Sequence, residues 1–129
     1  MTTFEVVSWI HLLAAAVWTG GLIVLGFLVA AVRRHTDDRE LLRVLARRFG
    51  VVSWTAFSVA LISGTWMYTE YELPWARFEL KGTLIVLAGG LALIHQLTAK
   101  RTPPAMRGII QLSIMVASIG IFGAAVALI

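Results

Sequence analysis

The chain has no cysteine. That excludes disulfides, iron–sulfur clusters, c-type haem attachment and thiolate metal sites. Proline is almost as scarce, with Pro74, Pro103 and Pro104 as its three occurrences. Long stretches therefore run without a helix breaker. Charge is the third shortage: 14% of the residues are Asp, Glu, Lys or Arg, against about 25% in ordinary soluble domains. Between Phe4 and Val32 the ionisable residues are Glu5 and His11.

Apolar side chains fill the space. They make up 59% of the 129 residues, against about 45–50% in a soluble domain. The length suits one domain, 1–129. Residues 4–32 exceed the roughly 20 needed to cross ~30 Å of hydrocarbon. The run is too long for a signal-peptide core and has no basic start, so it reads as a permanent membrane helix. Three more apolar segments follow, at 49–69, 80–98 and 108–129. Each can span with modest tilt. Short links imply antiparallel neighbours, and the expected fold is an all-α antiparallel four-helix membrane bundle. Leu73-Pro74-Trp75 divides the second span from the third, and Pro103-Pro104 divides the third from the fourth.

The net charge of +4 does not point to nucleic acid, because the charges sit at the ends of the apolar segments. The basic loop 33–48 holds six arginines, and the 99–107 link adds Lys100, Arg101 and Arg107. The other side has Arg77 and Lys81. By the positive-inside rule both termini face outward. The expected location is the inner (plasma) membrane, with several passes. Segment 38–48 reads either as an interfacial helix on anionic lipid or as an extension of the second helix. His35 belongs to this solvated region and carries no expected role.

Depth sorts the remaining histidines. His11 lies ~11 Å outward of the centre of helix one, and His95 ~9 Å inward of the centre of helix three, at 1.5 Å per residue. The two are then about 20 Å apart along the membrane normal and cannot ligate one metal ion. His95, beside Gln96, is expected to make a helix-to-helix hydrogen bond. Lys81 sits ~12 Å outward of its helix centre, at the depth expected for His11. Trp66, Met67, Tyr68, Thr69 and Glu70 end helix two on that side, and Glu5, Arg77 and Glu79 lie near. Lys81 can equally snorkel, and Trp9, Trp66, Tyr68, Tyr71 and Trp75 can form an aromatic belt. An imidazole more than a turn inside hydrocarbon more often faces the interior and marks function.

Helical spacing gives each helix a lining face. Helix one offers His11, Ala14, Ala15, Trp18 and Leu22; helix two offers Thr55, Ser58, Ile62, Thr65 and Thr69. Helix three offers Lys81, Ile85, Ala88 and Ala92; helix four offers Gln111, Met115, Ser118 and Phe122. Small and hydroxylated faces suit close helix packing, or a flat cofactor or polar path. The glycine faces also suit a homodimer.

The order of these residues resembles a family. HLLAAAVWTGG at 11–21 looks like the first helix of the copper resistance protein D (CopD)-like membrane proteins, a histidine followed by W-x-G-G. LISG at 61–64, ELKGTLIVL at 79–87 and TAKRTPP at 98–104 fit the later helices. The HemJ-like proteins, associated with protoporphyrinogen oxidation and haem b, are similar in their histidine-to-tryptophan spacing and helix-three lysine. Their proline-arginine pair at the end of helix one is replaced here by LGFLVAAVRRH. The resemblance carries over His11, Trp18 and Lys81 as candidate functional residues.

Two chemistries fit this set. Haem b needs one axial imidazole, which His11 supplies. Lys81 and Arg77 can pair with its propionates, Trp18 forms a wall, and Met67 is a candidate second ligand. A quinone would be a natural redox partner in the bilayer. Copper transport or resistance is the alternative, with His11 and Met67 as ligands. A third reading is a structural accessory subunit, with His11 in a polar network.

Overall fold

The computed structural model describes residues 1–72, 74–98 and 100–127. The side chains of Arg77, Pro104 and Ala127 lie outside that description. The described residues form four helices: α1, Thr3–His35; α2, Arg39–Glu70; α3, Trp75–Thr98; and α4, Pro104–Ala127. Each is long and apolar enough to cross a membrane.

The helix ends follow local chemistry. Thr2 and Glu5 form a capping box, with the Thr2 hydroxyl accepting from Glu5 N–H at 3.2 Å and the Glu5 carboxylate accepting from Thr2 N–H at 2.8 Å. At the far end of α1 the His35 Nδ1 lies 2.8 Å from the Ala31 carbonyl. Arg33, Arg34 and His35 complement the negative end of the helix dipole there. Asp38 caps α2 by accepting from Leu41 N–H at 3.1 Å. α2 closes with the Tyr71 N–H donating to the Met67 carbonyl, and Glu72 then takes a left-handed φ of 47°. Pro74 precedes α3, and Pro104 opens α4 where a missing N–H costs no hydrogen bond.

The basic stretch between the first two apolar segments is thus mostly helical. α2 begins at Arg39, ten residues before its apolar part, and the turn is confined to residues 36–38. The extension of helix two is the reading that holds, because Asp38 starts the helix and nothing from 39 to 49 stops it.

The chain divides into two compact units, Met1–Glu72 and Leu73–Ile129. Each is one helical hairpin, α1 against α2 and α3 against α4. In the first unit Ala14, Trp18, Thr19 and Leu22 of α1 are buried, with Ser53, Ala56 and Ser63 of α2. In the second, Ala88, Ile114, Ala117, Ser118 and Ala124 are buried. A Cβ at Gly120 would stand 3.4 Å from the Leu84 side chain, so glycine lets α3 and α4 approach there. Large apolar side chains lie on the outside instead: Phe27, Val86 and Leu97 are each about three-quarters exposed.

The lining faces of α1, α3 and α4 are buried or half-buried at most of the expected positions. The α2 face is not. Thr55, Ser58, Ile62, Thr65 and Thr69 are all exposed, and α1 meets the side carrying Ser53, Ala56, Ala60 and Ser63. The hydroxyls explain why polarity misleads here. Thr55 donates to Val51 O at 2.7 Å, and Thr69 lies 3.1 Å from Thr65 O. A threonine that bonds its own helix needs no partner across an interface.

Trp18 is the one large aromatic side chain among the buried residues of the first hairpin, at 5% exposure. Its ring lies 4.8 Å from Phe57 and 5.9 Å from Trp54, centroid to centroid. Truncation would leave a void beside the Trp54 and Phe57 rings. Trp18→Ala is expected to lower stability by about 3–5 kcal/mol, measured by reversible unfolding in mixed micelles. A loss under about 1 kcal/mol would show that this cluster does not hold the hairpin.

Candidate functional site

His11 sits on the α2-facing side of α1, half-buried. Its Nδ1 lies 2.8 Å from the Ala60 carbonyl oxygen and 3.1 Å from Ser63 Oγ. A carbonyl oxygen only accepts, so Nδ1 carries the proton and donates. Ser63 Oγ in turn lies 2.6 Å from the Val59 carbonyl, to which its own hydrogen goes. Its lone pairs are then available to the imidazole. One assignment of hydrogens satisfies these Nδ1 contacts, with the proton on Nδ1. In neutral His11 the basic ring nitrogen is Nε2.

Glycine at position 64 makes this contact accessible. The Ala60 carbonyl already serves the helix of α2, and its second lone pair is reached past residue 64. A Cβ built on Gly64 would stand 3.0 Å from His11 Cε1 and 3.4 Å from Nδ1. The imidazole therefore lies against the bare Cα of Gly64. Any larger residue would push the ring away from the carbonyl that orients it.

One turn toward the N-terminus of α1 from His11, Ser8 Oγ donates to Met67 Sδ at 3.3 Å. Met67 is half-buried and sits in the layer next to His11 on the facing helix. Beyond it Phe4 packs edge-on against Tyr71 at 4.6 Å, and Tyr71 stands 6.2 Å from Trp66. Trp18 lies two turns from His11 in the other direction, ~10 Å along the helix, in the cluster with Trp54 and Phe57.

The other candidates belong to the second hairpin. Lys81 is half-buried on the face that also carries Ile85, Ala88 and Ala92. The Arg77 side chain, expected to pair with a propionate, lies outside the described residues. His95 does not make the expected helix-to-helix bond through Nδ1: that atom is buried with no hydrogen-bond partner among the described residues.

Sequence reasoning missed the residues that position His11. Ser8, Ala60, Ser63 and Gly64 were not among the candidates, although Ser63 and Gly64 end the small-residue stretch LISG. The missing step was register. An antiparallel hairpin closing at residues 36–38 pairs position 11 with position 63. A carbonyl acceptor leaves no trace in side-chain type.

Among the described residues no three or more His, Cys, Asp or Glu side chains converge as a metal site. No protein-family model, no curated protein and no solved structure matches the chain.

Proposed function

We propose that this chain is an integral membrane protein of four spans, with both termini on the outer side. We further propose that His11 binds haem b through Nε2 for membrane redox chemistry. The observation that carries the second part is the Nδ1–H bond to the Ala60 carbonyl. Metal-binding histidines characteristically anchor the second ring nitrogen in this way, which fixes the ring and raises the basicity of the ligating atom.

The membrane part is supported by an inverted surface. Large apolar side chains cover the outside of both hairpins, while alanine, serine and threonine fill much of the interior. Helices in lipid pack through small residues, whereas so much exposed apolar area is rare on a soluble monomer. α1's apolar run exceeds the bilayer, so the better-bounded α2 sets the level. Its charge-free stretch 49–69 centres on Val59. The partner of His11, Ser63, lies ~6 Å outward of that centre. His11 is thus deeper than the ~11 Å estimated from α1 alone, and an imidazole there needs a reason.

Donor arithmetic favours haem over a bare ion. A metal held by side chains alone needs three or four donors, and among the described residues no three His, Cys, Asp or Glu side chains converge. A porphyrin brings four nitrogens and asks the protein for one axial group. When bound, haem b supplies one-electron transfer. The chain's own residues orient the imidazole and exclude water from it with apolar helix faces. A quinone is proposed as the electron partner.

The test is the visible spectrum of the detergent-purified protein, expressed with haem supplied, oxidised and then reduced with dithionite. A Soret band with reducible α/β bands supports the assignment. A colourless protein retaining stoichiometric copper would move the function to copper handling, with Met67 as the second donor. A colourless, metal-free protein that co-purifies with a larger complex would make it an accessory subunit.

Orientation has its own test, and the absence of cysteine makes it clean. Single cysteines at Thr3, Thr36 and Lys100 can be probed in intact cells with a membrane-impermeant maleimide. Thr3→Cys is expected to label fully, and Thr36→Cys and Lys100→Cys only after lysis. The reverse pattern would overturn the proposed orientation.

A further inference from the structure

The second hairpin carries a charge problem at one end. Between residues 73 and 129 the acidic side chain is Glu79, near the start of α3. The opposite end holds His95, Lys100, Arg101 and Arg107. Glu79 is sixteen residues from His95, ~24 Å along the helix. No carboxylate of this hairpin can neutralise its basic end.

The hairpin geometry concentrates the charge. α3 ends at Thr98 and α4 begins at Pro104. His95 lies three residues before that end and Arg107 three residues after that start, so the antiparallel helices place them at one level. Each is half-buried. His95 Nδ1 and Arg107 Nε are both shielded from solvent, and neither has a hydrogen-bond partner among the described residues. Two nitrogens orphaned at one level are unusual, since buried polar groups are nearly always paired. Thr102, in the link beside them, already donates to Thr98 O at 2.7 Å.

We propose that the α3–α4 turn is a phosphate-binding site, in which one phosphate group accepts from Arg107 and His95 while Lys100 and Arg101 flank it. Arg107 is a planar fork of donors suited to phosphate oxygens. His95 contributes through Nδ1 in the tautomer that carries the proton there. Both atoms are shielded from solvent, so binding includes a rotation of Arg107 on the first turn of α4. His95 is ~5 Å from the end of its helix, the level of the headgroups. The phosphate is then that of an anionic phospholipid, or free phosphate of the same chemistry from the aqueous side. Basic pockets between membrane helices on the cytoplasmic side bind lipid headgroups by this logic. The lipid source rests on the membrane placement proposed above, and not on the cofactor.

The experiment is native mass spectrometry of the full chain released from neutral detergent, titrated with phosphatidylglycerol, with phosphatidylcholine and with sodium phosphate. One phosphatidylglycerol is expected to bind about tenfold more tightly than phosphatidylcholine. Arg107→Gln should remove the preference and Arg107→Lys should retain part of it. Arg43→Gln, in the other hairpin, should leave it unchanged. Retention of a single phosphate adduct that competes with the lipid, and that Arg107→Gln abolishes, identifies free phosphate as the ligand. Equal binding of the two lipids with no phosphate adduct overturns the proposal, as does an intact preference in Arg107→Gln. Should Arg107→Gln not fold, Lys100→Gln/Arg101→Gln carries the test, with the preference reduced several-fold if the site is real and unchanged if it is not. Carbonate extraction of membranes separates the two readings. A chain released as soluble protein refutes the membrane placement, whereas an inserted chain with no preference refutes this site alone.

Discussion

His11→Ala is expected to abolish the Soret band of the purified protein while leaving it helical and membrane-inserted. Nε2 would be the donor to the haem iron, so its removal takes the ligand itself. Neither other imidazole is expected at that depth: His35 sits at the end of α1, bonded to the Ala31 carbonyl, and His95 lies ~9 Å inward of the centre of helix three. The fold should survive the change. The Ala60 carbonyl keeps its helical bond, and interhelical hydrogen bonds in membranes average only about 0.6 kcal/mol. Ser63→Ala provides the graded comparison. It removes one acceptor of the Nδ1–H but leaves the Ala60 carbonyl at 2.8 Å. Haem affinity is expected to fall about tenfold, the lower end for loss of a group that orients a metal ligand. Haem titration of the apoprotein, followed at the Soret maximum, measures both variants. Full occupancy in His11→Ala would remove His11 from the site whatever the cofactor.

Much of this architecture was legible because long apolar segments follow simple rules. Four apolar stretches, prolines at two links and arginine at the segment ends were enough to anticipate four helices. The face of α1 was readable as well, since Ala14, Trp18 and Leu22 follow helical spacing and all three are buried. The partner face of α2 was not readable. Polarity pointed to the threonine stripe, but a threonine that bonds its own helix can face outward. The face that meets α1 is small rather than polar, and size carries less contrast in a sequence already rich in alanine and glycine. The partner of His11 was not readable either, because the pairing of α1 with α2 is set by the turn at residues 36–38, which polarity and apolar length do not mark.

Gly64 offers the sharpest test of the site's geometry, because it needs no cofactor. The imidazole of His11 occupies the space a side chain at position 64 would take, with 3.0 Å between the built Cβ and Cε1. Gly64→Ala asks the ring to retreat by a few tenths of an ångström, which lengthens its hydrogen bond to Ala60. Gly64→Leu leaves no room for the ring at all. Overpacking of this kind costs about 1–3 kcal/mol, so Gly64→Leu should destabilise the protein by that amount in mixed micelles. In a His11→Ala background the ring is gone, and the same substitution should cost little. The expected coupling between the two sites is therefore 1 kcal/mol or more, within the range for residues in contact. Gly26→Leu serves as the control, since nothing lies within 4 Å of a Cβ there. It should be near neutral in both backgrounds. Additive effects of Gly64→Leu and His11→Ala would show that the imidazole does not rest on Gly64. The Ala60 carbonyl would then no longer set its tautomer, and the argument for Nε2 as the ligating atom would lose its basis. With coupling present, haem binding should follow the same order: wild type, then Gly64→Ala about tenfold weaker, then Gly64→Leu indistinguishable from His11→Ala.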